Sequence, residues 1–439
     1  MMLQTRSKRP HDCLAGSREN RNSGWFGIMI LGILLLLTLP ATTALAQEYD
    51  YLIKGGHVID AKNGIDGTMD IAVRNGEIAR VASNIRESDA EKVIDANGLY
   101  VTPGLIDIHG HHYHGVVPGR SYSNSFSALP PDGFTFRAGV TTVVDVGGAG
   151  WTNFDHFKEQ VIDRSRTRVL AFLNIVGDGM SGLPEQNLED MNVRMTGLTA
   201  SRHSEIVGIK IAHYSGHDWE PYRRTVEAAE MADIPVMVDF GGARPPLPLA
   251  DLFFNVLRPG DIYTHAYGGG GTGRQAVVDN NGQLRDRMLE AQQERGIIFD
   301  IGHGGGSFFY DVAVPATEQG LWPNTISTDL HTGSMNDGMK NQLNVVSNMI
   351  ALGMPLQDAI KASTWAPAQA IQREDLGHLS EGAVADIAIF SNREGEFGFL
   401  DSRGYLLYGD RKLETELTMR AGRVVYDLNG LAAPLWNNN

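Results

Sequence analysis

Two patterns of hydrophobic and polar positions divide this chain. From Tyr49 to Ile94, apolar residues alternate with polar ones in short β-branched runs, and Gly-Gly and Asn-Gly pairs separate the runs. This pattern is typical of β-hairpins. It returns near the carboxyl end in "ADIAIFS" and "ELTMRAGRVVYDLNG". We therefore predict one small β domain that is built from both ends of the chain.

The middle of the chain has a longer period. Short apolar runs alternate there with segments such as "EPYRRTVEAAEMAD" and "NGQLRDRMLEAQQERG", whose apolar spacing is typical of outer helices. Eight strand-helix units in about 250 residues predict an α/β fold, a (β/α)8 TIM barrel with a small composite β-sandwich domain. An open doubly wound sheet is the alternative, but no G-x-G-x-x-G follows the first run. The runs are "GLIDIHGH", "TTVVDVGG", "VLAFLNIVG", "IVGIKIAH", "IPVMVDFGG", "DIYTHAYGG", "IIFDIGHGGG" and "TISTDLH".

The amino-terminal residues have the composition of an export signal. Basic residues precede the apolar run "WFGIMILGILLLLTL", and Ala44-Leu45-Ala46 provides small residues for a cut before Gln47. As a helix the run would span about 22 Å, less than the bilayer core of about 30 Å. We expect an exported, periplasmic protein, with an uncleaved membrane anchor as the alternative. The predicted segments are a signal peptide at 1–46, β domain at 47–102, barrel at 103–375 and β domain again at 376–439.

Charge and cysteine content exclude several classes of function. The net charge of -15 argues against a nucleic-acid partner, because phosphate binding needs basic clusters. A small-molecule substrate is the natural partner instead. Cys13 is the only cysteine and lies in the predicted signal, so the mature protein has no thiolate ligand or nucleophile. The sequence leaves the oligomeric state open, a homo-oligomer included.

Histidines cluster at the end of the first predicted barrel strand. The carboxyl ends of barrel strands meet at one rim, where active sites are built. Because alternate residues of a strand share a face, His109 and His111 should point together into the barrel. Their imidazoles suit zinc or a similar cation. We interpret Asp107 as a partner for a ligand ring, and His112 and His114 as residues of the following loop.

Other strand ends carry further polar residues. Lys210 interrupts the apolar run "IVGIKIA", and burying an unpaired ammonium there would cost several kcal/mol. It therefore stays neutral, pairs with a carboxylate, or becomes a metal ligand by carboxylation; composition alone favours the ion pair. His265 and Asp329 end the sixth and eighth runs. A carboxylate beside metal-bound water is suited to the role of general base.

Four residues near the same rim are candidates for substrate contacts. His303 ends the seventh run and could donate a hydrogen bond to substrate, or simply be a core histidine. Tyr214, Arg244 and Arg274 follow the fourth, fifth and sixth runs. An arginine there could bind a substrate carboxylate through two hydrogen bonds, although a solvated surface arginine is the default interpretation.

Together these motifs resemble the amidohydrolase superfamily, and within it the branch of deacetylases and dihydroorotase-like enzymes. The resemblance rests on "PGLIDIHGH", "VGIKI", "THAYGG" and "STDLH" in the barrel. It extends to "DYLIKGGHVID" and "GHLSEGAVADIAIF" in the flanking β segments, and so covers Tyr49 to about Asp427. The combination is specific, although the His-x-His pair alone would be weak.

The resemblance implies a metal site with one or two divalent ions, zinc first among them. His109, His111, Lys210 and Asp329 would hold one ion, and Lys210 and His265 would help to hold a second. Lys210 would be carboxylated and bridge the two ions, which reverses the preference for an ion pair. Other divalent metals remain open.

The chain departs from the family pattern at the fifth strand. The usual ligand there is histidine, and "PVMVDFGG" offers Asp239 instead. Asp239 could still bind metal, because carboxylate oxygen is an acceptable zinc ligand. It could also pair with Lys210 and leave a one-metal or inactive site. We favour ligation.

The resulting hypothesis is an exported metal-dependent amidohydrolase. It would use metal-activated water to hydrolyse an amide or ester bond, with Asp329 accepting the proton and returning it to the leaving group. The family suggests N-acyl amino acids, acylated hydroxy acids or cyclic amides as substrates. One alternative is a catalytically degenerate periplasmic barrel that only binds a small molecule, which Asp239 would explain. Another is a deaminase of the same superfamily, against which Lys210 argues.

Overall fold

The computed structural model describes residues 47–114, 127–180, 183–269 and 273–436. The predicted signal peptide at 1–46 lies outside these residues, and its assignment stays a prediction. No helix within the described ranges is both long and apolar enough to span a bilayer.

Long strands lie at the two ends of the described chain, and short strands alternate with helices between them. The strands are β1 (Tyr49–Asp60), β2 (Ile65–Arg74), β3 (Glu77–Ala82), β4 (Ala90–Asp95), β5 (Tyr100–Pro103), β6 (Leu105–Gly110), β7 (Val140–Gly150), β8 (Arg168–Asn174), β9 (Ile206–Ile211), β10 (Val236–Val238), β11 (Ile262–Tyr263), β12 (Ile298–Phe299), β13 (Ile387–Leu400), β14 (Leu406–Arg420) and β15 (Arg423–Asp427). The helices are α1 (Phe154–Gln160), α2 (Val193–Ala200), α3 (Glu220–Glu230), α4 (Leu249–Asp251), α5 (Met288–Gln293), α6 (Tyr310–Glu318), α7 (Gln342–Ala351), α8 (Leu356–Lys361) and α9 (Trp365–Ala370).

Strands from both chain ends form one sheet, in the order β15-β14-β13-β5-β1-β2-β3, with β4 paired to β1. The antiparallel pairing of β13 with β5 joins the carboxyl-terminal strands to the amino-terminal ones. Ile53, Ile71, Ile94, Ile389 and Leu417 are fully buried in one apolar cluster of this sheet. Each such side chain contributes about 1.5–3 kcal/mol by leaving water, so the two chain ends are held together mainly by this core.

The middle of the chain curls into a parallel sheet of seven strands in sequence order, β6 to β12. The eighth predicted strand, "TISTDLH", is not a regular strand in the structure. It closes the ring through two isolated parallel bridges, Gly110 to Leu330 and Asp300 to Thr325. Asp329 interrupts the extended conformation, because its backbone is left-handed with φ of 53°. The fold is therefore the predicted α/β barrel, with an irregular eighth segment.

The outer helices follow the predicted apolar spacing. In α3 the side chains of Tyr222, Val226 and Ala229 are buried, at intervals of four and three residues. Such spacing places them on one face of the helix, towards the sheet. α5 is shorter than its predicted segment, since it begins at Met288 after Arg287, whose φ of 65° is not helical.

Candidate active site

A cavity of about 320 Å³ opens at the carboxyl ends of the barrel strands. Cavities of this size accommodate small molecules. Its wall includes all six residues that the sequence suggested as metal ligands, namely His109, His111, Lys210, Asp239, His265 and Asp329. The barrel thus brings together side chains that are separated by as many as 220 positions in the chain.

The first group of ligand atoms surrounds the carboxylate of Asp329. Its Oδ1 atom lies 3.6 Å from Nε2 of His109 and 3.0 Å from Nε2 of His111. We call these three residues the Asp329 cluster. One ligand atom each from His109, His265 and Asp329 also lies within 4.8 Å of the others, so these residues could hold a metal ion.

Hydrogen bonds fix the tautomer of His109. The hydroxyl of Thr264 donates to the Asp300 carboxylate at 2.7 Å, because that carboxylate can only accept. The Thr264 oxygen therefore accepts from Nδ1 of His109 at 2.8 Å. Burial lowers the pKa of His109 to about 3. The ring is neutral near pH 7, with the lone pair of Nε2 directed at the cavity.

The second group surrounds Asp239, which follows β10. Its Oδ2 atom lies 3.4 Å from Nε2 of His265 and 3.4 Å from Nε2 of His213. Its Oδ1 atom accepts a hydrogen bond from the Arg274 guanidinium. We call Asp239, His213 and His265 the Asp239 cluster. The carboxylate thus presents one oxygen to a structural cation and the other to two imidazoles.

Lys210 lies in β9 and is completely buried. Among the described residues its Nζ atom has no hydrogen-bond partner, and the arginine rather than this lysine pairs with Asp239. Burial lowers the pKa of Lys210, while the negative charges of Asp239 and Asp329 oppose that shift. A neutral amine is favoured by such burial. The direct ion pair between Lys210 and Asp239 does not form.

Unusual backbone conformations concentrate at this cavity. Three of its non-glycine residues have left-handed φ values, His213 at 55°, His265 at 60° and Asp329 at 53°. Conformations of this kind cost of order 1–3 kcal/mol each and cluster at functional sites. Here they turn side chains from strand ends and loops towards the same space.

Two glycines behind β12 make room for the ligands. A Cβ atom on Gly302 would lie 2.8 Å from Nδ1 of His265, whose ring donates to the Gly302 carbonyl at 2.5 Å. A Cβ atom on Gly304 would lie 2.3 Å from Oδ2 of Asp329. The motif "DIGHGGG" therefore has a steric function that its sequence alone did not reveal.

Several other candidate residues lie elsewhere. The His303 ring is buried outside the cavity wall, stacks on Phe308 with centroids 4.5 Å apart, and donates from Nδ1 to the Gly304 carbonyl at 3.0 Å. Burial lowers the pKa of His303 to about 4. Its role towards a substrate stays a prediction. Tyr214 donates to Asp218 at 2.7 Å. Arg244 is exposed.

The predicted role of Asp107 as partner of a ligand ring is wrong. Its carboxylate accepts hydrogen bonds from the hydroxyl of Thr328 at 2.6 Å and from the backbone amide of His109 at 3.2 Å. It therefore positions the eighth segment, while Thr264 supports the His109 ring. Burial raises the pKa of Asp107 to about 7. His112 does not line the cavity. Its Nδ1 donates to the Leu129 carbonyl at 3.1 Å.

Sequence reasoning missed two histidines of the cavity wall, His213 and His331. His331 lies two residues after Asp329, but strand alternation does not extend across the left-handed backbone of Asp329. His213 stands three residues after Lys210, and alternation would have directed it away from the cavity. Only its left-handed backbone turns it inward.

Comparisons with known proteins agree with this architecture. A model of the amidohydrolase family matches residues 315–425. A deacetylase of Brucella anthropi is 34% identical over 350 residues, which cover 77% of this chain and 83% of the relative. The crystal structure of an adenine deaminase is 27% identical with a TM-score of 0.77, covering 87% of this chain and 100% of that one. The crystal structure of a dihydroorotase is 28% identical with a TM-score of 0.73, covering 86% and 99% respectively.

Proposed function

The chain belongs to the amidohydrolase superfamily, and from this premise we propose that it hydrolyses an amide or ester bond in a small molecule with the help of one or two zinc ions. The observation that carries the proposal is the cavity itself. It gathers two carboxylates, five imidazoles and a buried lysine at the barrel rim. N-acyl amino acids, acylated hydroxy acids and cyclic amides are the substrate classes we would test first.

The residues present are suited to hold a divalent metal. Nε2 of His109 carries a lone pair and shares the cavity with the carboxylate of Asp329, so two acceptors face each other without a hydrogen between them. Neutral imidazole and carboxylate are ligands that zinc accepts, and the described residues include no cysteine that could replace them. When bound, such an ion polarises a carbonyl group and makes water nucleophilic near neutral pH.

Lys210 would complete the site as a carbamate. Its neutral amine would add to carbon dioxide and lose a proton, which converts an orphaned donor into an anionic ligand. This reaction would explain why a lysine without a partner is buried between Asp239 and Asp329. His109, His111 and Asp329 would hold one ion, His265 and Asp239 the other, and the Lys210 carbamate both.

Asp329 is placed to move the proton of the reaction. Its Oδ1 atom faces the imidazoles, which leaves Oδ2 to accept a proton from the attacking water. The same atom would return that proton to the departing amine or alcohol, and the acyl fragment would leave as a carboxylic acid. Proton transfer by a positioned side chain typically accelerates the chemical step about 10²–10⁴-fold.

A deaminase is a second candidate, favoured by the similarity to the adenine deaminase structure. Both reactions add water across a carbon-nitrogen bond, but a deaminase would release ammonia. The deacetylase relative, at 34% identity, favours acyl transfer to water. We also propose that residues 1–46 direct export to the periplasm, where the substrate would be encountered.

Metal content and activity test the proposal together. Protein expressed with zinc should contain at least one ion per chain by elemental analysis, and should release a carboxylic acid from N-acetyl amino acids or related substrates. Chelation should abolish this release, and added zinc should restore it. A chain that cannot be loaded with divalent metal would favour the degenerate binding protein instead.

The variant Lys210→Ala sharpens the same test. It should lose metal and turnover, and short carboxylic acids should restore part of both by occupying the place of the carbamate. Normal metal content in Lys210→Ala would remove the carbamate from the account.

A further inference from the structure

We propose that His213, a residue of the loop after β9, is a metal ligand that replaces the histidine missing from the fifth strand. The inference rests on the proposed function, because it requires a metal at the Asp239 cluster. The position of His213 supports this role, because Nε2 of His213 and Nε2 of His265 each lie 3.4 Å from the same oxygen, Oδ2 of Asp239. His213 lines the cavity together with both of them.

These distances match the edges of a zinc coordination sphere. Ligand atoms about 2.0–2.2 Å from a tetrahedral zinc ion lie about 3.3–3.6 Å from one another. The two separations of 3.4 Å in the Asp239 cluster fall in this range. The Asp329 cluster has the same composition, two imidazoles and one carboxylate, with separations of 3.0 and 3.6 Å. In each cluster, one carboxylate oxygen lies within 3.6 Å of two imidazole nitrogens.

In both imidazoles Nδ1 bonds a neighbouring residue, and Nε2 faces Asp239. Nδ1 of His213 lies 3.3 Å from the carboxylate of Glu185, which can only accept, so Nδ1 carries the hydrogen. Nδ1 of His265 likewise donates to the carbonyl of Gly302. Nε2 is therefore the ring atom that each histidine offers to a cation beside Oδ2 of Asp239.

The surroundings of His213 are those of a supported metal ligand. A ligand histidine commonly donates its other ring hydrogen to a carboxylate, which fixes its orientation. Glu185 has that role for His213 and is 2% exposed. Arg274 holds the remaining oxygen of Asp239, so the carboxylate is oriented as well. The left-handed backbone of His213 is what directs the ring at this group.

The metal stoichiometry of a histidine series tests the inference. Wild-type protein, His213→Ala, His265→Ala and His217→Ala are loaded with zinc, freed of excess and measured by elemental analysis. His217 is an exposed residue of the same loop outside the cavity wall, which makes it the matched control. We expect two ions per chain in the wild type and in His217→Ala, and one in His213→Ala and His265→Ala. Circular dichroism verifies that each variant is folded.

The affinity of the second ion provides an independent measure. Titration with Co²⁺, followed by its visible absorption, should show the second binding step weakened by at least about tenfold in His213→Ala. Glu185→Gln should weaken it by about 10–100-fold through the orientation of the ring. If His213→Ala binds two ions with unchanged affinity, the inference about His213 is wrong but the proposed function stands. The contact between His213 and Asp239 would then be an ion pair between imidazolium and carboxylate. A wild type without metal would overturn the proposed function itself.

Discussion

The two halves of the cavity have the same chemistry but different origins. In the Asp329 cluster, His109 lies in β6, His111 directly follows that strand, and the aspartate comes from the segment that closes the barrel. In the Asp239 cluster, His213 comes from the loop after β9, and Arg274 donates a hydrogen bond to one of the two carboxylate oxygens. The two histidines of the first half follow from the direction of β6, whereas the second half depends on the left-handed turn at His213 and on Arg274.

This difference explains why the first half could be read from the sequence. His109 and His111 follow an apolar strand with a spacing of two, and that spacing dictates their common direction. The sequence showed that Asp239 replaces the usual histidine of the fifth strand. It did not show that His213 lies beside Asp239. His213 has the wrong parity for the cavity, and no local signal announces the left-handed turn that redirects it.

Asp329→Asn should give the largest effect. The amide keeps the size of the side chain but cannot accept a proton, so turnover should fall by about 10²–10⁴-fold. Metal at the Asp239 cluster should remain, as measured by elemental analysis. Asp410→Asn, an exposed position of the β sheet, is the control. Full activity in Asp329→Asn would remove this residue from its proposed role.

Gly304→Ala should disturb the Asp329 cluster without changing any ligand. The new Cβ atom would collide with Oδ2 of Asp329 at 2.3 Å, and a shift of about 1 Å in such a group can cost 10²-fold in rate. Gly133→Ala is the control, because a Cβ atom there meets nothing within 4 Å. Comparison of kcat for the two variants tests whether the position of the Asp329 carboxylate affects turnover. Equal values would mean that the position of the carboxylate is not critical.

The hydrogen bonds that orient the Asp329 cluster and the Asp239 cluster can be removed one at a time, and we expect smaller effects than from the two preceding variants. Thr264→Val removes the hydrogen-bond acceptor of the His109 ring, and Arg274→Gln removes the cation that holds Asp239. Each should reduce affinity for one of two ions by about 10–100-fold, as loss of supporting groups commonly does. Calorimetric titration with zinc measures both steps. A loss of the same ion in both variants would show that the clusters are not separate.

The fold was easier to predict than the supporting interactions. The pattern of apolar residues identified the two sheets, because alternation in the β domain and short apolar runs in the buried barrel strands are properties of each strand by itself. The eighth segment was expected to be regular, and Asp329 breaks it by its backbone conformation. Asp107 was interpreted as the partner of a ligand ring, but the His109 ring bonds Thr264, which follows β11 and in turn bonds Asp300 after β12. Contacts of that kind depend on the closed barrel and have no periodic signature.

Anomalous diffraction from crystals grown with zinc tests the central claim most directly, namely that the barrel rim gathers these side chains around metal. Two peaks are predicted in the cavity, each about 2.0–2.2 Å from its ligand atoms. One should lie beside Nε2 of His109 and His111, and the other beside Nε2 of His213 and His265. A cavity without any anomalous peak at saturating zinc would contradict the account.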